Sequence, residues 1–446
     1  CFRKEGSALH LKYVDEMKSS EIILSNELAR NNNIIYSKVL LHIGYLKKEV
    51  SVRYVDNWPA DKIGLPRNLS RDFVLPDTLP YKIRFEKRNI YIGPVIGMLF
   101  AAQQKTLMPE YLKAHNCYLL SYSETGGLVF IGSSEGINAE NQTIKGFYYN
   151  PDSTEKWVEG VFPYPAALYR RVEIPDKKYD DLVKNIGDSI FNTYYFDKWG
   201  LWQCLSPYEE INQHLPHTEK LTTVDTLMKM LEQYHTVYLK RISSEQSKGI
   251  YRVMKIENGY QFIDKEKNEF ILGTTEEVSK FLNKIKRIYG TYLIQAAIKV
   301  KNFENRSFDI RVILQKDESK QWTCTGMIAR FGGEGSVASI IRLGGLAMQG
   351  KEALKQVFNM TEDEVFVKER EIINICTKAC ELLDKSIGNY GDLGLDVIID
   401  ENQKIWILEI NKNHYHYFPV YALKDRKMYY DITSKPLKYA NTLSGF

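Results

Sequence analysis

Gly394-Leu395-Asp396-Val397-Ile398-Ile399-Asp400-Glu401-Asn402-Gln403-Lys404-Ile405-Trp406-Ile407-Leu408-Glu409-Ile410-Asn411 sets two apolar, β-branched runs on either side of a polar turn. That is the pattern of an antiparallel hairpin. With Glu401-Asn402-Gln403-Lys404 as the loop, Asp400 faces Ile405, Ile398 faces Ile407 and Asp396 faces Glu409. Side chains alternate along a strand, so Asn411 shares the face of Glu409, and three oxygen donors converge at one end of the hairpin. Carboxylates directly opposite each other repel, and burying them without a counter-charge is costly, so the arrangement calls for a cation. Mg2+ takes oxygen ligands and often shares them with phosphates; it fits this donor set best, with Mn2+ as the alternative ion. A loop of three residues is the competing reading. It puts Asp396 and Glu409 on opposite faces, each with its own Arg or Lys.

At 446 residues the chain exceeds the size at which one hydrophobic core stops growing, so two or three domains are expected. Hydrophobic residues at 44% and charged residues at 26% are those of a globular protein. The net charge of +4 is a small difference between 60 basic and 56 acidic residues and gives no electrostatic case for nucleic acid or a membrane surface. Cys1, Cys117, Cys204, Cys324, Cys376 and Cys380 contain no CxxC pair, which points to a reducing compartment. Cys376 and Cys380 fall on one helix face and read as core packing. No apolar run is long enough to span a bilayer, no signal peptide is visible, and a start at Cys1 rather than Met leaves the natural N-terminus open.

Outward from the hairpin, the chain reads as a succession of domains. Residues 1–30 are polar and mixed in charge, and are expected to form a peripheral arm. Residues 31–90 read as a small β-rich domain, with strands over 34–44 and 49–55 around a turn. At Ile92-Gly93-Pro94-Val95-Ile96-Gly97 the texture changes to strands alternating with helices, so 91–196 is expected to be a small α/β domain with a parallel sheet. Its glycines, Gly126, Gly127, Gly132 and Gly136, match no dinucleotide fingerprint and read as turns. From 197 to 446 the alternation resumes with a helix over about 198–213. The strand Thr236-Val237-Tyr238-Leu239-Lys240 then runs into a small-residue loop from Ser243 through Lys248 to Gly249. A lysine leaving an apolar strand beside such a loop can place an ammonium and backbone N–H groups on phosphates; an ordinary surface hairpin is the other reading. In Phe308-Asp309-Ile310-Arg311-Val312, Asp309 and Arg311 share one face. Arg330 and Arg342 can join them and the hairpin carboxylates in a cleft of mixed charge.

Taken in order, Asp197-Lys198-Trp199, Tyr238-Leu239-Lys240, Lys248-Gly249, the strand carrying Gln295, Phe308-Asp309-Ile310-Arg311-Val312, Gly344-Gly345 and Asp396 with Glu409-Ile410-Asn411 resemble an ATP-grasp ligase. Ile92-Gly93-Pro94-Val95-Ile96-Gly97, Leu215-Pro216-His217-Thr218 and Gly335-Ser336-Val337 narrow the resemblance to YheC/YheD-type endospore coat-associated proteins, over roughly residues 35–420. The resemblance implies an α/β fold of ATP-grasp type with a smaller nucleotide lobe at about 225–298 and a metal-bearing lobe at about 299–420. It implies that Lys198 and Lys240, with Ser243, Lys248 and Gly249 of the loop, contact ATP phosphates. Gln295, Ala296 and Ile298 would hold the adenine, Asp309 would lie near the ribose, and Arg311 and Arg330 would face the transferred phosphate. Asp396, Glu409 and Asn411 would hold Mg2+. The chain departs from its relatives in a phosphate loop with a single glycine, in Ile340, and in Lys412-Asn413-His414-Tyr415-His416 after the asparagine. His414 and His416 are read as loop positions, with a role as ligands the alternative.

The same resemblance implies an ATP-dependent ligase that joins a carboxylate to an amine or thiol through an acyl phosphate, made in the cytoplasm and associated with spore coat proteins. Two other classes stay open: a nucleotide-binding coat protein without turnover, and a phosphotransferase acting on a small acceptor.

Overall fold

Strands form where β-branched and aromatic runs lie between Gly, Asn and Asp turns, and the tightest of these turns shows the rule. Lys38–Ile43 pairs with Leu46–Val55 across only Gly44 and Tyr45, and Gly44 takes the positive φ of +56° that such a turn demands. The turn falls earlier than expected, and residues 34–37 are not strand. The computed structural model describes residues 9–73, 75–243, 249–301, 303–333 and 345–446. Cys1, Lys248, the 335–337 motif, Ile340, Arg342 and Gly344 lie outside the described residues.

The chain divides into two units. The first runs to Thr193 and includes Lys316–Gln321 and Thr433–Phe446. It holds a seven-stranded mixed sheet and a six-stranded one. Residues 9–25, expected as part of an arm, supply His10–Val14 and Glu21–Ser25 to the first sheet and bury Leu9, Leu11, Ile22 and Leu24 in its core. Their charged residues occupy the outward positions and mask the short apolar runs between them. In the second sheet Val95–Ala101 is buried along its whole length between parallel partners, Leu128–Asn138 and Ala167–Arg170, which is the parallel arrangement that needs cover on both faces. The apolar residues from Cys117 to Leu119 lie in a short helical turn, Asn116–Leu119.

The second unit covers Tyr194–Gln315 and Trp322–Ile432 and contains two antiparallel sheets, each backed by helices. One has six strands with Tyr292–Ala296 and Thr236–Arg241 side by side, covered by Val224–Tyr234 and Thr275–Tyr289. The other orders Leu346–Gln349, Trp322–Phe331, Phe308–Lys316, Asp392–Ile399 and Ile405–Asn411. Its two strands Phe308–Lys316 and Asp392–Ile399 are buried at every position. Its main cover is the helix Glu362–Ser386, entered through a capping box in which Thr361 accepts from the Glu364 backbone and the Glu364 carboxylate accepts from the Thr361 backbone. Cys376 and Cys380 are buried on its inner face. The helix expected over 198–213 is two pieces, Lys198–Leu205 and Glu209–Asn212, because Pro207 cannot donate into a continuing helix. Among the described residues no helix is long and apolar enough to cross a membrane.

Candidate functional site

The hairpin Asp392–Ile399/Ile405–Asn411 brings Asp396 opposite Glu409. The pairing near the turn is nevertheless one residue off the expected one: Ile399 faces Ile405, Ile398 faces Trp406 and Val397 faces Ile407. The backbone closes from Asp400 to Lys404 over the three residues of the competing reading, and the Asp400 carboxylate supports that turn by accepting from the backbones of Asn402 and Lys404 and from the Trp406 indole. In this Asx-type closure the Asp400 N–H still donates to the Lys404 carbonyl, while the Lys404 N–H turns to the Asp400 carboxylate. A bulge at Leu408 then adds one residue to the second strand, and Asp396 meets Glu409 after all. Burial follows the same shift: Ile405, Ile407 and Ile410 are buried while Trp406, Leu408, Glu409 and Asn411 are half-exposed.

Two arginines, Arg311 buried and Arg330 partly so, meet Asp396. The register of the next strand sets Arg311 directly against it, and the Arg311 guanidinium donates through Nε to Oδ1 at 2.5 Å and through Nη2 to Oδ2 at 3.0 Å. Arg330, from Trp322–Phe331, donates to Asp396 Oδ1 at 2.9 Å and to Asp309 Oδ1 at 2.6 Å. Asn411 adds its amide, Nδ2 to Oδ2 at 3.2 Å. A carboxylate offers about four acceptor directions, and four donors fill them here. Burial alone would raise the Asp396 pKa, but Arg311 and Arg330 hold it down to about 2. Arg330 is likewise held charged: burial opposes its charge, and Asp309 and Asp396 more than restore it. Two aspartates and two arginines thus form one neutral buried network.

Glu409 turns the other way, toward Lys198, whose Nζ lies 3.1 Å from its Oε1. Lys198 is the first residue of its helix, placed there because the Asp197 side chain caps the Gly200 backbone at 2.7 Å. Lys240 comes from the other sheet and donates to Gln295 Oε1 at 2.5 Å, while the Gln295 amide donates to Thr218 Oγ1 at 3.1 Å. Burial, helped by neighbouring Lys198, lowers the Lys240 pKa to about 8, with Glu409 and Asp396 pulling against both. A cleft with Leu201, Trp202, Leu215, Leu293 and Ile407 in its walls gathers Lys198, Lys240, Gln295 and Glu409. Apolar walls with a few convergent polar groups are the usual make-up of a small-molecule site.

Of the other expected residues, Ala296 is buried with its backbone N–H committed to the His217 carbonyl, and Ile298 lies half-buried beyond the end of that strand. Ser243 is exposed, and Gly249 holds a φ of +72° with no space for a Cβ against Arg241 and the Tyr292 hydroxyl. His414 and His416, read as loop positions, are both buried against Asp392. Their spacing of two was visible in the sequence; what it lacked was Asp392, twenty-two residues earlier and on another strand.

The chain as a whole is similar to several known proteins. A family model described as YheC/D like ATP-grasp matches residues 187–443. The endospore coat-associated protein YheD of Bacillus subtilis (strain 168) is 25% identical over 418 residues, covering 89% of this chain and 88% of that one. YheC of the same organism is 23% identical over 291 residues, covering 62% of this chain and 77% of its own. Among solved structures, the ATP-grasp ligase PsnB complexed with a minimal precursor aligns with a TM-score of 0.44 at 9% identity, over 79% of this chain and 99% of that one. The D-alanyl-alanine synthetase A from Vibrio cholerae O1 biovar eltor str. N16961 aligns at 0.45 and 11%, over 78% and 98%.

Proposed function

Because the chain belongs to the YheC/D-like ATP-grasp family, whose model matches more than half of it, we propose that it binds ATP in the cleft between Lys240 and Glu409 and uses it to activate a carboxylate. The observation that carries this reading is the convergence of Lys198, Lys240, Gln295 and Glu409 from two sheets and a helix start on one cleft. Two ammonium groups close enough to depress the Lys240 pKa fit an anion, since bound phosphates relieve their mutual repulsion. The donor set also fits a divalent cation. Glu409 is half-exposed, and Asn411, whose amide nitrogen is turned to Asp396, keeps its carbonyl oxygen for a ligand. Glu409 and Asn411 would hold Mg2+, or Mn2+ in its place, whose charge offsets that of the phosphates. Asp396 joins them only if one of its four donors gives way.

In the proposed reaction a carboxylate oxygen of the substrate attacks the terminal phosphorus and ADP leaves; an amine or thiol then attacks the acyl carbon and phosphate leaves. Arg330 supports this through its position between Asp309 and Asp396, where it can follow the charge of a transferred phosphoryl group. Association with spore coat proteins is part of the proposal and rests on what the two Bacillus relatives are named for.

Titration with a non-hydrolysable ATP analogue, with and without Mg2+, followed by screening of carboxylates for ADP release, tests the reading. Glu409→Gln is expected to abolish ADP release while leaving folding stability nearly intact. ADP release unchanged by that substitution would remove Glu409 from the reaction. A second reading is supported by the saturated Asp396 carboxylate: a nucleotide-binding coat protein without turnover. For that protein the analogue binds, no carboxylate yields ADP, and the Glu409→Gln chain assembles normally.

A further inference from the structure

Beyond Asn411 the chain continues Lys412-Asn413-His414-Tyr415-His416-Tyr417 in strict alternation, with Asn413, Tyr415 and Tyr417 exposed and His414 and His416 buried. Both imidazoles close on the carboxylate of Asp392, itself fully buried at the start of the strand that carries Asp396. His414 Nε2 lies 3.0 Å from Asp392 Oδ1, His416 Nε2 lies 3.0 Å from Oδ2, and the two Nε2 atoms are 3.3 Å apart. Among the described residues this is the one group of three metal-ligating side chains drawn so close together.

These separations match the edge of a coordination polyhedron. Bonds of about 2.05 Å from a tetrahedral Zn2+ to two imidazole nitrogens set those nitrogens about 3.3 Å apart. The surroundings hold the three side chains in that geometry. Gln315, fully buried, donates its amide to Asp392 Oδ1 at 2.8 Å and to the Ile432 carbonyl at 2.8 Å. The bonds fix the amide orientation and leave Gln315 Oε1 buried with no hydrogen-bond partner. Gly394 makes room for the His414 ring, because a Cβ there would sit 2.9 Å from His414 Cγ.

We propose that Asp392, His414 and His416 form a binding site for one divalent transition-metal ion, with Zn2+ the best fit, and that Gln315 positions the carboxylate. Two imidazoles and a carboxylate suit a borderline ion of this kind rather than Mg2+, which prefers oxygen ligands throughout. The site is separate from the proposed nucleotide cleft: Asp392 and Asp396 share a face of one strand but stand four residues, about 13 Å, apart. Such an ion ties the segment after Asn411 to the strand that holds Asp396.

The test uses the full chain, stripped of metal with a chelator and titrated with Zn2+ against a chromophoric competitor, then with Co2+ to read the visible absorption of its ligand field. One high-affinity ion per chain is expected, with Co2+ bands of a tetrahedral, nitrogen- and oxygen-ligated site. His416→Ala is expected to weaken Zn2+ at least about 100-fold, and Gln315→Ala about 10- to 100-fold, as for an outer-shell partner. Glu409→Gln should leave Zn2+ affinity unchanged, which separates this site from the nucleotide reading. If His416→Ala does not fold, His416→Gln keeps the volume and serves instead. Zn2+ binding that is weak in the wild type, or equally strong in the His416 and His414 variants, overturns the proposal, since the ion is then held elsewhere or adventitiously.

Discussion

Replacing Asp396 by Asn removes one charge and keeps the shape, yet the structure makes it one of the costlier changes available in the second unit. Oδ1 accepts from Arg311 Nε and Arg330 Nη2, and Oδ2 accepts from Arg311 Nη2 and Asn411 Nδ2. Whichever way the new amide turns, its NH2 faces two donors, and the buried Arg311 guanidinium loses its carboxylate while Arg330 keeps Asp309. Two independent routes give the size. The pKa drop from 3.8 to about 2 corresponds to about 2–3 kcal/mol of native stabilisation, and breaking a buried ion pair typically costs about 3–5 kcal/mol. The folded-state pKa is depressed, so this contribution is complete above the unfolded value near pH 4 and is lost as pH falls through about 2. Urea unfolding read by tryptophan fluorescence suits the measurement, because Trp199, Trp202, Trp322 and Trp406 all lie in the second unit. Glu409→Gln is the control: its pair with Lys198 is partly exposed, and such pairs are worth about 0–1 kcal/mol. If Asp396→Asn unfolds within about 1 kcal/mol of wild type, or no more easily than Glu409→Gln, the closed network is refuted.

Lys240, with its pKa near 8, predicts that ATP analogue binding takes up protons around that pH and weakens above it, as calorimetry in buffers of different ionisation enthalpy would show. The sign for folding is opposite to that of a paired lysine. The unfolded lysine keeps its proton to higher pH than the folded one, so the Lys240 contribution to stability rises between about pH 8 and the ordinary lysine value. Gly394→Ala pushes a Cβ to 2.9 Å from His414 and 3.0 Å from the Arg311 side chain; a loss of about 1–3 kcal/mol is expected by thermal or urea unfolding. Thr361→Ala removes one half of the capping box on Glu362–Ser386 and should cost about 1 kcal/mol, measured the same way.

The residues that carry the site were legible where local pattern decides their position. Alternation alone set Asp309 and Arg311 on one face, and the polar stretch from residue 401 located the hairpin turn. The pairing of Asp396 with Glu409 was reached through the wrong ladder, because the Asp400 closure and the Leu408 bulge displace the register in opposite senses and cancel. A trace of the bulge was in the text: Ile405 and Ile407 are two apart, and Ile410 is three further on. That Asp396 is met by two arginines, rather than left facing only a like charge, depends on strands sixty-six and eighty-five residues away and has no local signature. The same distance effect hid Asp392 from His414 and His416. Residues 9–25 failed differently, since five-residue strands rich in charge carry too little periodicity to stand out.

Leu408 gives the hairpin two spatial reading frames. From the turn inward, side chains alternate in step with the core; from the site outward, they alternate in step with Asp396; and the two schemes are one letter out of phase. A ladder that kept Leu408 but had no bulge, with Leu408 opposite Asp396 and Glu409 opposite Leu395, would be the more regular one. It would also turn Glu409 and Asn411 to the opposite face, so the irregularity in the backbone is what keeps these two residues beside Asp396.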